Sequence, residues 1–258
     1  EDSSKLSNHT GCIHPRKALV ADFNGDLIPD IFVACHGYDS GTFPGEKSKI
    51  ILSQANGTFV IQDALDIGYW HGATAFDVDG NGTIDLMLVN NNNVGRGNTY
   101  LNDGNGNFLL DSVNRFPASI SSKGYYSIEA IDVDANGKQD LLLGGHEYDN
   151  SPTLLLMNPG NSDFSGVNSV TLPTDSTFGI VLDFTITNAG SNPILWSIRT
   201  QQSYSGYALQ KTDVKSLIGS IVKSSTSGNW LRWAIPTILN NQNFISSDNS
   251  SDNFIYSY

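Results

Sequence analysis

Three nine-residue segments, recurring every 55 residues, constrain this chain more than anything else in it: Asp22-Phe-Asn-Gly-Asp-Leu-Ile-Pro-Asp30, Asp77-Val-Asp-Gly-Asn-Gly-Thr-Ile-Asp85 and Asp132-Val-Asp-Ala-Asn-Gly-Lys-Gln-Asp140. Each places Asp or Asn at positions 1, 3, 5 and 9 and leaves the backbone carbonyl of position 7 as a further oxygen. Hard divalent cations take about six to eight oxygens, and a tightly wound loop with alternating oxygen-bearing side chains supplies most of them locally. The expected donor sets are Asp22, Asn24, Asp26, Ile28 and Asp30; Asp77, Asp79, Asn81, Thr83 and Asp85; and Asp132, Asp134, Asn136, Lys138 and Asp140. Calcium suits such a flexible oxygen cage better than magnesium, which keeps several waters, so three Ca2+ ions are expected. The competing reading of any single copy is a metal-free Asp/Asn/Gly turn. An empty loop, however, crowds like charges that a divalent cation would neutralise.

An EF-hand starts the same way but needs Glu at position 12, where this chain has Val33, Leu88 and Leu143. The loops run instead into the apolar stretches 31–34, 86–89 and 141–143, which read as buried strands. A strand before each loop (18–23, 73–78, 128–133) completes a hairpin. Third strands follow at 49–52, 99–101 and 153–157, each ending in an Asn/Gly-rich turn whose closing Phe59, Phe108 or Phe164 is expected to open a fourth strand. Four short antiparallel strands per repeat make the blade of a β-propeller, so the fold class is all-β.

The units resemble the FG-GAP/VCBS repeats of integrin α-chain propellers and of many bacterial and fungal surface proteins. The matching residues are Asp-Phe-Asn-Gly-Asp-x-x-x-Asp-Ile-Phe-Val, Asp-Val-Asp-Gly-Asn-Gly-x-x-Asp-Leu-x-Leu and Leu-Asn-Asp-Gly-Asn-Gly-x-Phe, and the likeness is strong from residue 11 to about 170. It implies a calcium-stabilised propeller in extracellular recognition and leaves the ligand open. On this reading the blades are 11–65, 66–120, 121–171 and a degenerate fourth, 172–225, in which Asp183 is the only acid of its hairpin. Residues 226–258 are a divergent segment and a candidate partial fifth blade within one propeller domain. Four to five blades either close as a small ring or form an arc.

The formal net charge of −12, with 14 Lys and Arg, argues against nucleic acid and anionic membrane as partners. Much of that acidity is loop chemistry, since three divalent ions would bring it to about −6. No apolar run approaches the roughly 18 residues of a membrane span. Beginning at Glu1, the sequence fits a processed mature chain or a piece of a longer one. Cys12 and Cys35 bracket the first metal hairpin and read as a disulfide in an oxidising compartment or as two buried thiols. Sequons at Asn8, Asn56 and Asn249 fit a eukaryotic secretory route, whereas a fourth falls on the proposed ligand Asn81.

Function is expected on the opposite side. Stepping 55 residues from His36 reaches Asn91 and then His146, so these share one loop, between second and third strands. Tyr38, Asp39, Tyr148 and Asp149 lie beside the histidines, and Tyr69, Trp70, His71, Tyr125 and Tyr126 lie where the chain enters the next blade. Rings, imidazoles and carboxylates together suit sugar stacking or a protein hot spot; the alternative is that the aromatics fill wedges between blades. No zinc-protease helix, nucleophile elbow, phosphate loop or paired-Cys motif occurs. The expectation is therefore a non-enzymatic, secreted or cell-surface module that binds a glycan or an extracellular protein. Its competitors are a self-associating structural subunit of a surface assembly and a polysaccharide-active enzyme on a propeller scaffold.

Overall fold

The computed structural model describes residues 5, 11–38, 45–91, 97–225, 234–239, 242–247 and 254–257. Among them the chain is all-β, with propeller-like blades of consecutive antiparallel strands. The first sheet is β1 (Pro15–Ala21), β2 (Asp30–Cys35), β3 (Glu46–Ser53) and β4 (Phe59–Gly68), and the second is β5 (Trp70–Phe76), β6 (Asp85–Asn90), β7 (Asn98–Asn102) and β8 (Phe108–Leu110). The third comprises β9 (Tyr125–Ile131), β10 (Asp140–Gly145), β11 (Leu154–Leu156) and β12 (Val170–Thr171). The fourth comprises β13 (Ile180–Thr187), β14 (Ile194–Thr200), β15 (Tyr207–Asp213) and β16 (Ile218–Ser225). The divergent segment forms a three-stranded sheet of β17 (Ile235–Leu239), β18 (Gln242–Ser247) and β19 (Phe254–Ser257).

The unbroken apolar runs become interior strands. Every residue of β10 is buried, as an apolar segment covered on both faces requires, and so is every residue of β14, including the polar Ser197, Arg199 and Thr200. The outer β16 has only exposed and half-buried positions instead. Glycines close β10 because a Cβ on Gly145 would lie 2.0 Å from the Ser151 carbonyl oxygen.

Two compact units divide these sheets: residues 1–122 with 159–166, and residues 123–158 with 167–258. In the first, Phe23, Phe32, Trp70, Leu86, Leu88 and Tyr100 form one core. Phe108, which opens β8, packs edge-on against Phe23 and Phe32 at 5.8 and 6.2 Å, filling the space between neighbouring sheets. In the second unit one cluster gathers Val133, Leu142, Leu155, Val181, Phe184 and Leu195, and another gathers Trp196, Ile198, Tyr207, Leu209, Ala234 and Ile245.

Two strand expectations need correction. The first strands begin and end earlier than the apolar pattern suggests, which leaves Phe23, Val78 and Val133 outside them as buried anchors at loop position 2. The backbone must leave the ladder there to begin winding round the loop centre. Phe164 opens no strand; it is fully buried, its amide donates to the Arg115 carbonyl at 2.9 Å, and 159–166 belong to the first unit. The fourth strand of that sheet is the short β12.

Candidate metal centres and the opposite ring clusters

The three loops join β1 to β2, β5 to β6 and β9 to β10, and they repeat one hydrogen-bond scheme. The position-1 carboxylate accepts backbone amides from inside the loop: Asp22 from Gly25, Asp26 and Leu27, Asp77 from Gly80, Asn81 and Gly82, and Asp132 from Asn136 and Gly137, at 2.7–3.1 Å. Position 3 (Asn24, Asp79, Asp134) accepts the position-5 amide at 3.1–3.2 Å. The position-5 side chains of Asp26, Asn81 and Asn136 accept the amides of Ile28, Thr83 and Lys138 at 2.8–2.9 Å. Positions 4 and 6 are left-handed in every copy, at Gly25 and Leu27, Gly80 and Gly82, Ala135 and Gly137. That winding turns successive side-chain oxygens inward.

Position 9 differs from the others, because Asp30, Asp85 and Asp140 are fully buried. One oxygen of each accepts the position-2 amide (Phe23, Val78, Val133) at 2.9–3.0 Å, and the other accepts the amide of Ser53, Asn102 or Asn158 at 2.7–2.8 Å. The side chains of Ser53, Asn102 and Asn158 in turn donate to the position-8 carbonyls of Pro29, Ile84 and Gln139 at 2.6–3.0 Å. A polar clasp thus ties each loop to the end of its sheet's third strand. The sequence reading missed it, although a polar residue closing each third strand was its visible signal. Burial, and then the neighbouring carboxylates, push the Asp30, Asp85 and Asp140 carboxyls above the usual range.

Two loops assemble three carboxylates apiece with oxygens within 4.8 Å of one another: Asp77, Asp79 and Asp85, and Asp132, Asp134 and Asp140. The donor chemistry of both fits a hard divalent cation. The first loop forms no such trio, because position 3 is Asn24, whose amide donates to the position-5 carboxylate of Asp26 at 3.1 Å. In the fourth sheet Asp183 lies within strand β13 rather than in the loop that joins β13 to β14, and accepts the Ala234 amide at 2.8 Å.

At the other end of the strands each unit carries a ring cluster. In the first, His36 Nε2 lies 2.9 Å from Asn91 Oδ1, so two copies of the same repeat position meet. The His36 ring is 5.7 Å from Tyr69 and 5.8 Å from His71, and the exposed Tyr38 meets His14 at 6.3 Å. In the second, the ring centroids run Tyr204–Tyr126 6.5 Å, Tyr126–His146 5.6 Å and His146–Tyr148 5.7 Å. The Tyr126 and Tyr204 hydroxyls are 2.7 Å apart, and Asp149 lies 3.0 Å from His146 Nδ1.

Trp70 and Tyr125, one repeat length apart, do not join these clusters. Trp70 is 5% exposed, stands edge-on to Tyr100 at 6.1 Å and belongs to the first unit's core. Tyr125 is likewise buried, and burial raises its phenol far above the ordinary range. Both are buried rather than solvent-facing, and Trp70 packs in a core drawn from the first two sheets. Asp39 lies outside the described residues, as do the sequons at Asn8 and Asn249.

Three further features were not anticipated. Tyr204 comes from the β14–β15 loop; one more step of 55 from His146 reaches Gln201, the start of that loop, and would have found it. Glu147 is ion-paired with the buried Arg199. Glu46 accepts the amides of Ile13, His14 and Gly37 at 2.9–3.2 Å, beside the Cys12–Cys35 disulfide that joins the chain entering β1 to the end of β2.

A model of the FG-GAP-like repeat matches residues 22–88 and 77–143. A search of curated proteins finds no match. Among solved structures, an exo-β-1,3-galactanase from Phanerochaete chrysosporium with β-1,3-galactotriose is similar at TM-score 0.56 and 10% identity over 92% of this chain and 57% of that one. A GH43 β-1,3-galactosidase with galactodeoxynojirimycin is similar at TM-score 0.52 and 10% identity, over 95% of this chain and 90% of that one. A glycoside hydrolase is similar at 0.51 and 11%, over 95% and 59%. This chain spans little more than half the length of the galactanase. At such identities the likeness is one of fold. Among the described residues no helix is long and apolar enough to cross a membrane.

Proposed function

Because residues 22–88 and 77–143 are FG-GAP-like repeats, we propose that the chain is a calcium-stabilised, non-enzymatic recognition module of the cell exterior that binds a glycan or a surface protein. The observation that carries this reading is the pair of ring clusters at the strand ends opposite the metal loops. Amphipathic rings beside imidazole and carboxylate can stack on an apolar surface while bonding its polar groups. The carboxylate trios of the second and third loops would hold the ions, which would offset the mutual repulsion of Asp77, Asp79 and Asp85 and of Asp132, Asp134 and Asp140. The disulfide supports an oxidising compartment. A glycan array probed with the calcium-loaded chain tests the reading, alongside capture of extracellular proteins. Saturable binding to either that is lost in chelator is the expected result; absence of both would overturn it.

The galactanase and galactosidase neighbours favour a second reading, a polysaccharide-active enzyme. Glycoside hydrolysis generally needs two carboxyl groups flanking the bond, one kept protonated. Asp30, Asp85 and Asp140, whose carboxyls burial pushes above the usual range, hold backbone amides at the acidic-loop end. Glu147, on the ring side, is engaged by Arg199 and by the Thr153 hydroxyl at 2.7 Å. Release of reducing sugar from β-1,3-galactan by the purified chain would decide for the enzyme.

A further inference from the structure

We propose that the row Tyr204–Tyr126–His146–Tyr148 in the second unit is a subsite for an uncharged saccharide chain, with Tyr204 supplied by the fourth sheet as a binding residue. This rests on the recognition reading above and narrows it to one cluster and one ligand class. The row draws on the β14–β15 loop, β9, the residue after β10 and the turn that follows. Tyr126, Tyr148 and Tyr204 are half-buried, and His146 among them is 9% exposed. Tyr126 is tilted by 35° to His146 and by 38° to Tyr204, whereas His146 and Tyr148 meet edge to face at 69°. Such a row suits the apolar faces of successive pyranose rings. The paired Tyr126 and Tyr204 oxygens, 2.7 Å apart, resemble in spacing two neighbouring sugar hydroxyls.

Preorganisation is visible at both ends. Tyr148 is fixed by donating to the Thr177 carbonyl at 2.6 Å and accepting the Gly179 amide at 3.1 Å. Tyr204 sits at φ +55°, a backbone region that a bulky L-residue occupies only when its surroundings force it. Its loop supplies that force: the Tyr204 amide donates to the Gln201 carbonyl at 3.0 Å, the Gln201 amide to the Gly206 carbonyl at 3.1 Å, and the Ser205 hydroxyl to the Gln201 side chain at 2.9 Å. The loop therefore holds one aromatic ring against Tyr126 at a conformational cost. Strain of that kind concentrates at ligand-binding positions.

Charge selects the ligand class. Asp149 stands beside His146 with its side chain 54% exposed, Asp175 caps the Thr177 and Phe178 amides next to Tyr148, and Glu147 is already neutralised by Arg199. Lys123 directs its ammonium to the Asn150 carbonyl at 2.7 Å. An edge with two carboxylates disfavours uronic or sulfated sugars and accepts neutral ones.

The test uses the full calcium-loaded chain with neutral galacto-, gluco- and manno-oligosaccharides and with oligogalacturonate. A neutral oligosaccharide should bind, oligogalacturonate should bind roughly fivefold or more weakly, Tyr204→Ala should weaken the neutral ligand roughly tenfold or more, and Tyr204→Phe should keep most of the affinity. Tyr204→Gly, which relieves the left-handed backbone, gives the same readout if the alanine variant does not fold. If Tyr69→Ala abolishes glycan binding while Tyr204→Ala and Tyr204→Gly retain it, the recognition reading stands and this subsite falls. If oligogalacturonate binds as well as its neutral counterpart, the assigned ligand class falls. If the array and the capture succeed only with proteins, the saccharide proposal alone falls; if neither binds anything, both fall.

Discussion

The Asn102 side-chain amide donates to the Phe23 carbonyl at 2.8 Å, across 79 residues of sequence, and so locks the second sheet of the first unit to the acidic loop of its first. The same amide donates to the Ile84 carbonyl at 3.0 Å, and its oxygen accepts the Gly104 and Gly106 amides at 3.0 and 3.2 Å. Every hydrogen-bonding site of a buried side chain is thereby used. Asn102→Ala should cost about 3 kcal/mol in urea unfolding at fixed calcium, because it strands two carbonyls and two amides together. A loss below about 0.5 kcal/mol, the range of neutral surface substitutions, would show that water replaces the bridge.

The parts of the site legible in the sequence were those that depend on local spacing. Alternating oxygen donors and the repeat length of 55 locate the loops, the flanking strands and the ring-bearing loop around His36, Asn91 and His146. Asn102 reads only as a turn residue, because Phe23 becomes its partner once two sheets pack. Trp70 illustrates the other limit. Trp70 and His71 are neighbours in β5, yet Trp70 enters the core while His71 faces His36, and alternation alone does not say which face is the core. Phe164 was misplaced because the segment around it leaves its own sheet for the first unit, a tertiary choice with no local signature.

Asp85 and Asp79 belong to one carboxylate trio but have different roles. Asp85 holds the Val78 and Asn102 amides, so Asp85→Ala should destabilise by about 3 kcal/mol even in chelator. Asp79 is exposed and bonded within the loop, so Asp79→Ala should mainly remove the calcium-dependent part of the stability. At a hundredfold excess of ion over its dissociation constant that part is about 2.7 kcal/mol per site. Melting temperatures of both variants with calcium and with chelator separate the roles; equal losses in chelator would refute the distinction.

The pH dependence follows from the same buried carboxyls. Asp30, Asp85 and Asp140 are raised above the usual carboxylate range, chiefly by burial, so the metal-free folded chain holds their protons to higher pH than the unfolded chain does. Their contribution favours folding below the ordinary carboxyl range and is lost as pH climbs through the raised folded values. A cation bound in these loops would compete with those protons. The chelated protein should therefore lose stability as pH rises from about 4 toward neutrality, and the gap between calcium-loaded and chelated melting curves should widen over the same interval. A gap that stays constant with pH would separate the buried carboxyls from ion binding.

Loop positions 4 and 6 are left-handed throughout, yet position 6 of the first loop is Leu27 and position 4 of the third is Ala135. Leu27 is 90% exposed at φ +66°, so its side chain offers little packing against the backbone cost. Leu27→Gly should stabilise by up to about 1 kcal/mol, the relief of a left-handed L-residue less the extra entropy of glycine in the unfolded chain. Gly82→Ala, at φ +89°, should lose a comparable amount. Denaturant midpoints moving opposite to these directions would contradict the backbone argument.

The ion pair between Arg199 and Glu147 gives the sharpest double-mutant test. Arg199 is 1% exposed; its Nε donates to the Phe178 carbonyl at 2.7 Å, one terminal nitrogen to Gln210 Oε1 at 2.8 Å, and the other to Glu147. Glu147 also accepts the Thr153 hydroxyl, so a planar fork from β14 is matched to a carboxylate held in the turn after β10. Removing one partner strands a buried charge: Arg199→Met or Glu147→Gln alone should cost about 3–5 kcal/mol. The double variant should recover much of that, because two desolvated charges leave together. Arg199→Lys should fall between, since an ammonium cannot span the Phe178, Gln210 and Glu147 acceptors as a guanidinium does. Additive single losses in a urea-unfolding cycle would show that Glu147 and Arg199 are stabilised separately by their other partners.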